Sequence, residues 1–299
     1  MTYDDIAAIF LAPLDEPIPE PDATTTPARR LRDSLEPIAT QGWWSRAAGE
    51  RLTELGVDFF PGYVWGRAAA LGTPSAGLVA ATFGVFDPGL IAAVYEAGAA
   101  AVSRDEILAA RAAGGAASVG AVATDDECAA IAEPLLGALG GLDALGRPLF
   151  AALRSLPLPT SPSGRRWRAA ELVREHRGDS HLAALVGAGL DAGEANVLTE
   201  RWLGFALGEN CGTRGFGPDA LDAAVGRLEA RGWMAGHELT DAGRRARVAI
   251  EEATDAGQAS LITALGSRLD DVVMGAAEIS ARLIAARSFP ADPRKRAGG

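Results

Sequence analysis

Between Gly217 and Asp255 the chain reads as a helix, two very short strands and a second helix, and this order restricts the fold more than any other stretch. Pro218-Asp219 opens the first helix. Proline is tolerated there because its missing N–H would be unpaired anyway, and an acid suits the positive end of the helix dipole. Leu221, Val225 and Leu228 follow at i, i+4 and i+7, which makes one face apolar. Gly232 falls just past the last periodic residue, where a left-handed helix stop is needed. Trp233-Met234 leads into Ala235-Gly236-His237, and Glu238-Leu239 returns, enough for a two-stranded hairpin. Thr240 then caps a long helix with Asp241 in its first turn.

Leu228-Glu-Ala-Arg-Gly-Trp233, Leu239-Thr-Asp-Ala-Gly-Arg244 and Ile250-Glu-Glu-Ala-Thr-Asp255 together resemble the end of a MarR-type winged helix. With Arg174-Glu-His-Arg-Gly-Asp-Ser-His181 upstream, the chain is similar to an actinobacterial family of MarR-like helix-turn-helix proteins over roughly residues 29–285. The resemblance implies a mainly α fold whose C-terminal half is a winged helix with a short β-wing.

The chain has 299 residues, 48% of them hydrophobic and 22% charged, so a sizeable core is expected in one large or two ordinary domains. A net charge of −11 argues against broad non-specific affinity for nucleic acid, which needs clustered cations, but leaves room for a local basic patch. Cys128 and Cys211 have no CxxC partner, which speaks against a disulfide framework or a thiolate zinc site. No stretch of 18 to 20 apolar residues lacks a charge or a breaker, so no membrane span is expected. Met1-Thr-Tyr-Asp-Asp is too acidic for a secretory signal, which points to a cytoplasmic protein.

Along the chain, residues 1–28 read as a partly disordered arm, with a short docking helix over Ile6–Leu11 and a Pro/Thr/acid-rich stretch from Pro17 to Pro27. Residues 29–154 read as a helical N-terminal half. Its first helix is interrupted by Pro37, and Ser103-Arg-Asp-Glu106 forms a capping box before a later one. Residues 155–164, with three prolines, read as a stiff linker. The winged-helix half then covers 165–288, and 289–299 is expected to be a basic disordered tail. The order of helix, small-residue turn, capped helix and proline-led helix recurs between 63–112 and 175–231, which suggests an internal pseudo-duplication.

Three stretches are candidates for function. The helix at 217–231 occupies the place of a DNA-reading helix, with Arg227 and Arg231 on it and Arg244 and Arg245 behind the wing to hold phosphates. Against this, residues 217–232 carry Asp219, Asp222 and Glu229 with those two arginines, and a winged helix kept only as scaffold fits equally well.

The second stretch is Glu175 to His181, which holds two of the three histidines. His176 and His181 are five apart and do not share a helix face, so metal ligation is not expected. Glu175 and Asp179 do share one and can clamp an arginine such as Arg67 or Arg177. The cluster suits either a polar network tying the two halves together or a ligand site.

The third is the aromatic set from Trp43 to Tyr95, which reads as ordinary core or as the wall of a pocket. Tyr63, Trp65 and Arg67 would form one wall, and His176, Arg177 and His181 the other. The ligand would be a planar or acidic small molecule, and no cofactor is identified. No Gly-x-Ser-x-Gly, Walker, Rossmann or HExxH motif occurs, so the sequence leans away from an enzyme. The expectation is a small-molecule-binding winged-helix protein, monomer or homodimer, regulating transcription on double-stranded DNA. The alternative is an enzyme or auxiliary protein of secondary metabolism that reuses the scaffold without touching DNA.

Overall fold

The computed structural model describes residues 1–19 and 25–298. The first half of the chain forms α1 (Tyr3–Phe10), α2 (Pro27–Ala39), α3 (Gln41–Trp44), α4 (Arg46–Glu54), α5 (Phe59–Ala68), α6 (Ala76–Phe83), α7 (Pro88–Ala101), α8 (Arg104–Gly120), α9 (Asp125–Gly140) and α10 (Pro148–Arg154). The second half forms α11 (Pro162–Gly187), α12 (Ala192–Trp202), α13 (Pro218–Ala230), β1 (Met234–Ala235), β2 (Glu238–Leu239), α14 (Asp241–Ala256), α15 (Ala259–Leu265), α16 (Leu269–Ala285) and α17 (Pro293–Gly298). The fold is thus mainly α, and the one small sheet among the described residues pairs β1 antiparallel with β2, Met234 opposite Leu239.

The central element is α11, 26 residues long, which packs against α2, α8, α9, α10 and α14. It starts where Ser161 accepts the Gly164 N–H and Pro162 takes the first turn. Because neighbours surround it, α11 has no solvent stripe over much of its length: Trp167, Leu172 and Val173 are buried, and so are Arg166, Glu171, Glu175 and Arg177. Charged groups taken out of water need partners, so the enclosure of α11 dictates the ion-pair networks around it.

The largest apolar cluster runs from Leu31 and Leu35 of α2 through Leu135 of α9 and Trp167 of α11 to Val272 and Leu283 of α16. It joins the two ends of the chain, and α11, which begins at the expected linker, belongs to the cores on both sides of it. A second cluster builds the helix-turn-helix unit from Leu185, Val197, Leu198, Leu221, Leu228, Met234, Leu239 and Ile250. The Leu239-Thr-Asp-Ala-Gly motif has a plain mechanical meaning here. Leu239 is buried, and the Thr240 hydroxyl accepts the Gly243 N–H and donates to Gly232 O. Gly243 lets α14 come so close that an added Cβ would lie 2.1 Å from Trp233 O.

Three expectations are corrected. Pro37 does not interrupt α2, which runs to Ala39; it lies in the last turn, where a missing N–H removes little of the helix. The tail is not without structure: α17 contacts α2, and Arg29 and Arg32 donate to Ala297 O and Arg296 O. The docking helix begins earlier than expected, at Tyr3, because Thr2 and Asp5 form a capping box. The Pro/Thr/acid-rich stretch falls partly outside the described residues.

Candidate functional site

Two regions bear on function, the surface of the helix-turn-helix unit and the interior cavity beneath it. On the surface, α12, the turn 203–217, α13, the hairpin and α14 follow one another in space. Arg227 pairs with Asp191 at 2.7 Å, and Arg231 pairs with buried Glu194 at 3.2 Å. Arg231 also donates to Ala188 O and Gly189 O and lies over the Trp233 ring. These two arginines therefore brace α13 against α12 and the end of α11, while Arg227 stays about half exposed. Arg244 and Arg245 are exposed on the first turns of α14. Arg247 is buried instead, 2.6 Å from Glu251 and stacked on Trp202. Arg201 ties the hairpin to α12 through His237 O and Glu238.

The interior cavity has a volume of about 690 Å³. One wall is aromatic, with Trp43, Trp44, Phe60, Tyr63, Phe83 and Phe86. The lining is also cationic, with Arg174, Arg177 and His181 from α11, Arg247 from α14 and Arg214 from the turn before α13, and Arg174 and Arg214 lie over the Trp43 and Phe86 rings. Terminal helices α1 and α17 close part of it through Ile6, Phe10, Arg294 and Lys295.

Four of the six residues expected to bind ligand line this cavity: Tyr63, Arg67, Arg177 and His181. Trp65 and His176 do not. The cause is helical spacing: 63 and 67, like 177 and 181, are four apart and share a face, whereas 65 and 176 fall elsewhere on the turn. Trp65 donates its indole N–H to Val102 O and meets Tyr95 edge-on, in the apolar cluster behind the Phe83 wall. His176 bonds Gln258 through Nδ1 and stands edge-on to Phe150.

The electrostatics follow from crowding of buried charges. Glu175 accepts from Nε and Nη2 of Arg67 at 2.9–3.2 Å and also receives Arg174. Burial raises its pKa, but Arg67 and Arg174 outweigh burial and hold the carboxyl down at about 2. Glu251 receives Arg247 on one oxygen and Arg29 and Arg177 on the other. Despite burial, these cations keep its pKa far below the usual range. Asp179 behaves in the opposite way. One of its oxygens accepts the Phe150 N–H, the other has no hydrogen-bond partner among the described residues, and burial raises the carboxyl to about 7.

His181 is fixed in one tautomer. The single hydrogen of the Thr254 hydroxyl is donated to Ile250 O, so its oxygen must accept from His181 Nδ1. Nε2 is then the unprotonated nitrogen, and burial together with Arg247 and Arg177 holds the pKa down at about 3. His181 is a neutral acceptor at every physiological pH.

The Arg174–His181 motif thus engages α2 through Glu36, α5 through Arg67, α10 through the Phe150 N–H and α14 through Glu251 and Thr254. It is the polar network between the halves and, on its 177/181 side, a cavity wall. Arg174, Arg214, Arg247 and Glu251 line the cavity without having been expected there from the sequence. Arg174 lies inside the motif, and its spacing from Arg177 and His181 signalled a shared face; Arg214 sits in a glycine-rich turn that offered no periodicity.

A mainly helical protein with a helix–turn–helix–hairpin unit and a partly open polar–aromatic cavity is, as a class, a helix-turn-helix protein. The family model described as a helix-turn-helix family matches residues 28–290, and the chain belongs to that family. No curated protein and no solved structure matches the chain. Among the described residues no helix is long and apolar enough to cross a membrane.

Proposed function

We propose that the chain is a cytoplasmic, ligand-responsive transcriptional regulator of the MarR-like winged-helix type. A planar or acidic small molecule in the central cavity controls how α13 sits on double-stranded DNA. The observation that carries this reading is the composition of the cavity wall. Asn196 and Thr199 of α12 and Arg214 of the turn before α13 share the cavity with the aromatic residues of α3, α5 and α6. A ligand there touches the DNA-reading unit and the rest of the molecule at once, as coupling between two sites requires.

In this reading α13 enters the major groove, the hairpin β1–β2 is the wing, and Arg244 and Arg245 hold phosphates. Arg227 contributes with its exposed side, and Arg231 acts mainly as a brace. If the helix order of 63–112 repeats that of 175–231, one chain supplies two such units; otherwise a homodimer does. The test is binding of a duplex from the promoter region of its own gene, measured across a salt series. Wild type should bind at low salt, and Arg244→Ala/Arg245→Ala should reduce the salt slope by about 2, because each removed arginine leaves one phosphate without its cation. No binding at low salt would retire the regulator.

A second reading, an enzyme or auxiliary protein of secondary metabolism without DNA contact, is favoured by two groups in the same cavity. Asp179 titrates near neutrality and suits proton transfer, and His181 presents a bare Nε2 that can accept a hydrogen bond from a substrate. The tethering of Arg227 and Arg231 points the same way.

A further inference from the structure

We propose that Arg214 and Lys295 form an anion seat in the cavity, that the ligand is an aromatic compound bearing a carboxylate or phosphate, and that its anion fastens the turn leading into α13 to the aromatic wall. This rests on the ligand-binding reading of the cavity.

The first support is charge balance. The cavity lining includes eight Arg or Lys residues (Arg32, Arg67, Arg174, Arg177, Arg214, Arg247, Arg294 and Lys295) and four acids (Glu36, Glu175, Asp179 and Glu251). Glu36, Glu175 and Glu251 are already engaged by Arg174, by Arg67 and by Arg177 with Arg247. No carboxylate among the described residues stands within ion-pair distance of Arg214 or Lys295, and only Asp292 and Glu209 act on Lys295 from farther away. Lys295 Nζ donates to Asn210 Oδ1 at 3.1 Å and lies over the Phe205 and Phe10 rings. The Arg214 guanidinium lies 5.5 Å from the centre of the Phe86 ring. Arg67 and Arg174 are near enough to repel Arg214, and Arg214 in turn repels Lys295. Gathered like charges without a counter-ion cost stability unless an anion joins them.

The second support comes from unused donors. Arg177 and Arg247 are more than nine-tenths buried, line the same cavity, and each has an Nε–H without an acceptor among the described residues. His181 offers the complementary group, a bare Nε2 that can accept from a ligand N–H or O–H. The Tyr63, Phe83 and Phe86 rings in the same lining supply the surface for a flat apolar body.

The third support is the way the seat is mounted. The Asp87 N–H donates to Arg214 O at 2.9 Å, and Asn196 Nδ2 donates to Val85 O at 2.7 Å. Phe86 lies between these two links. Gly215, at φ +91°, packs so close that a Cβ would stand 2.5 Å from Leu90 Cδ2. The turn that carries Arg214 is therefore preorganised against the aromatic wall, and it ends two residues before α13 begins at Pro218. An anion held by Arg214 reinforces that junction.

The test uses the full chain and three probes of one shape: 2-naphthoate, 2-naphthyl phosphate and 2-naphthamide, titrated by ligand-observed NMR. At least one anion should bind tenfold or more tighter than the amide, and which one does so identifies the anion. Arg214→Ala should abolish this preference, with unchanged helical ellipticity showing that the fold is intact; Arg214→Lys should recover part of it. With the preferred anion bound, amide hydrogen exchange over residues 211–217 should slow in wild type and not in Arg214→Ala. A preference that survives Arg214→Ala, or the absence of any preference in wild type while the amide binds, overturns the anion seat and leaves the cavity reading standing. Exchange unchanged by the bound anion overturns the coupling. If none of the three binds at millimolar concentration, the ligand-binding reading fails and the seat fails with it.

Discussion

Replacing Glu251 by glutamine removes one charge and keeps the shape, and it isolates what the buried network contributes. The Glu251 side chain is 2% exposed and accepts from Arg247 at 2.6 Å, Arg177 at 2.8 Å and Arg29 at 3.0 Å. Glutamine leaves one oxygen to serve three guanidinium groups and turns an N–H donor toward at least one of them. Removing one partner from a buried ion-pair cluster costs about 3–5 kcal/mol, because the cations stay buried without compensation. Urea unfolding followed by helical ellipticity gives the measurement. With a slope of about 3 kcal/mol per molar urea, a 4 kcal/mol loss moves the midpoint down by about 1.3 M. Glu252→Gln, one residue on and exposed, is the control and should change stability by less than about 0.5 kcal/mol. The pH dependence follows from the same site. The folded pKa of Glu251 lies below its unfolded value, so its contribution is complete above the ordinary glutamate pKa of about 4.3 and is lost as pH falls below it. Glu251→Gln should therefore flatten the acid limb of the stability profile. A midpoint shift no larger than that of Glu252→Gln would show that the three arginines do not depend on Glu251, and the account of the network would be wrong.

Three further outcomes test other parts of the molecule. Gly243→Ala should cost at least about 2 kcal/mol and loosen the hairpin, since the new Cβ would lie 2.1 Å from Trp233 O and α14 must move; the readouts are thermal unfolding and hydrogen exchange at residues 233–240. Arg166→Met should raise stability by about 1–4 kcal/mol in urea unfolding: all three guanidinium nitrogens are buried without a hydrogen-bond partner among the described residues, and burial lowers the pKa to about 9. Asp179→Asn keeps an acceptor for the Phe150 N–H and should stabilise the protein at pH 8 by about 2–4 kcal/mol. The sign is set by a folded pKa of about 7, above the unfolded value near 3.9, so wild type loses stability as pH rises from 4 to 7 and the variant does not.

The helix-turn-helix unit was legible because its signals are local. Pro218, Gly232, Gly236 and Thr240 each impose a backbone conformation or cap at their own position, and the structure places a helix end, a hairpin tip or a cap at each. The cavity was only half legible. Periodicity tells which residues share a face, so 63 with 67 and 177 with 181 followed from spacing, but Trp65 and His176, their neighbours in sequence, project from other faces of the same helices. Nothing local showed that Arg247 turns inward while Arg244 and Arg245 stay outside, because that depends on where Glu251 and Trp202 come to rest. The tail hid its structure for a related reason. Pro293–Gly298 is basic and short, yet α2 offers it a surface and two arginines that cap its carbonyls.

These differences share one physical cause. Polar and charged residues are surface residues by default, whereas here many of them are interior. Arg29, Arg32, Glu36, Arg111, Glu171, Glu175, Arg177, Asp179, Arg247 and Glu251 are all buried. Hydrophobic packing would have filled this space at lower free-energy cost, since buried ion pairs seldom outperform well-packed apolar side chains. An interior of this kind makes sense if it surrounds something polar. The clusters on Glu175 and Glu251 flank the cavity on the α5 and α14 sides, and α11 holds both in register along one rigid rod. On the proposed function, a change in charge at the cavity reaches α14 through Arg247 and the α13 turn through Arg214, both of which line it, while the apolar cluster from α2 to α16 contributes none of these groups. The charged interior and the helix-turn-helix unit are one device on this view, with ligand charge as the input and the placement of α13 as the output.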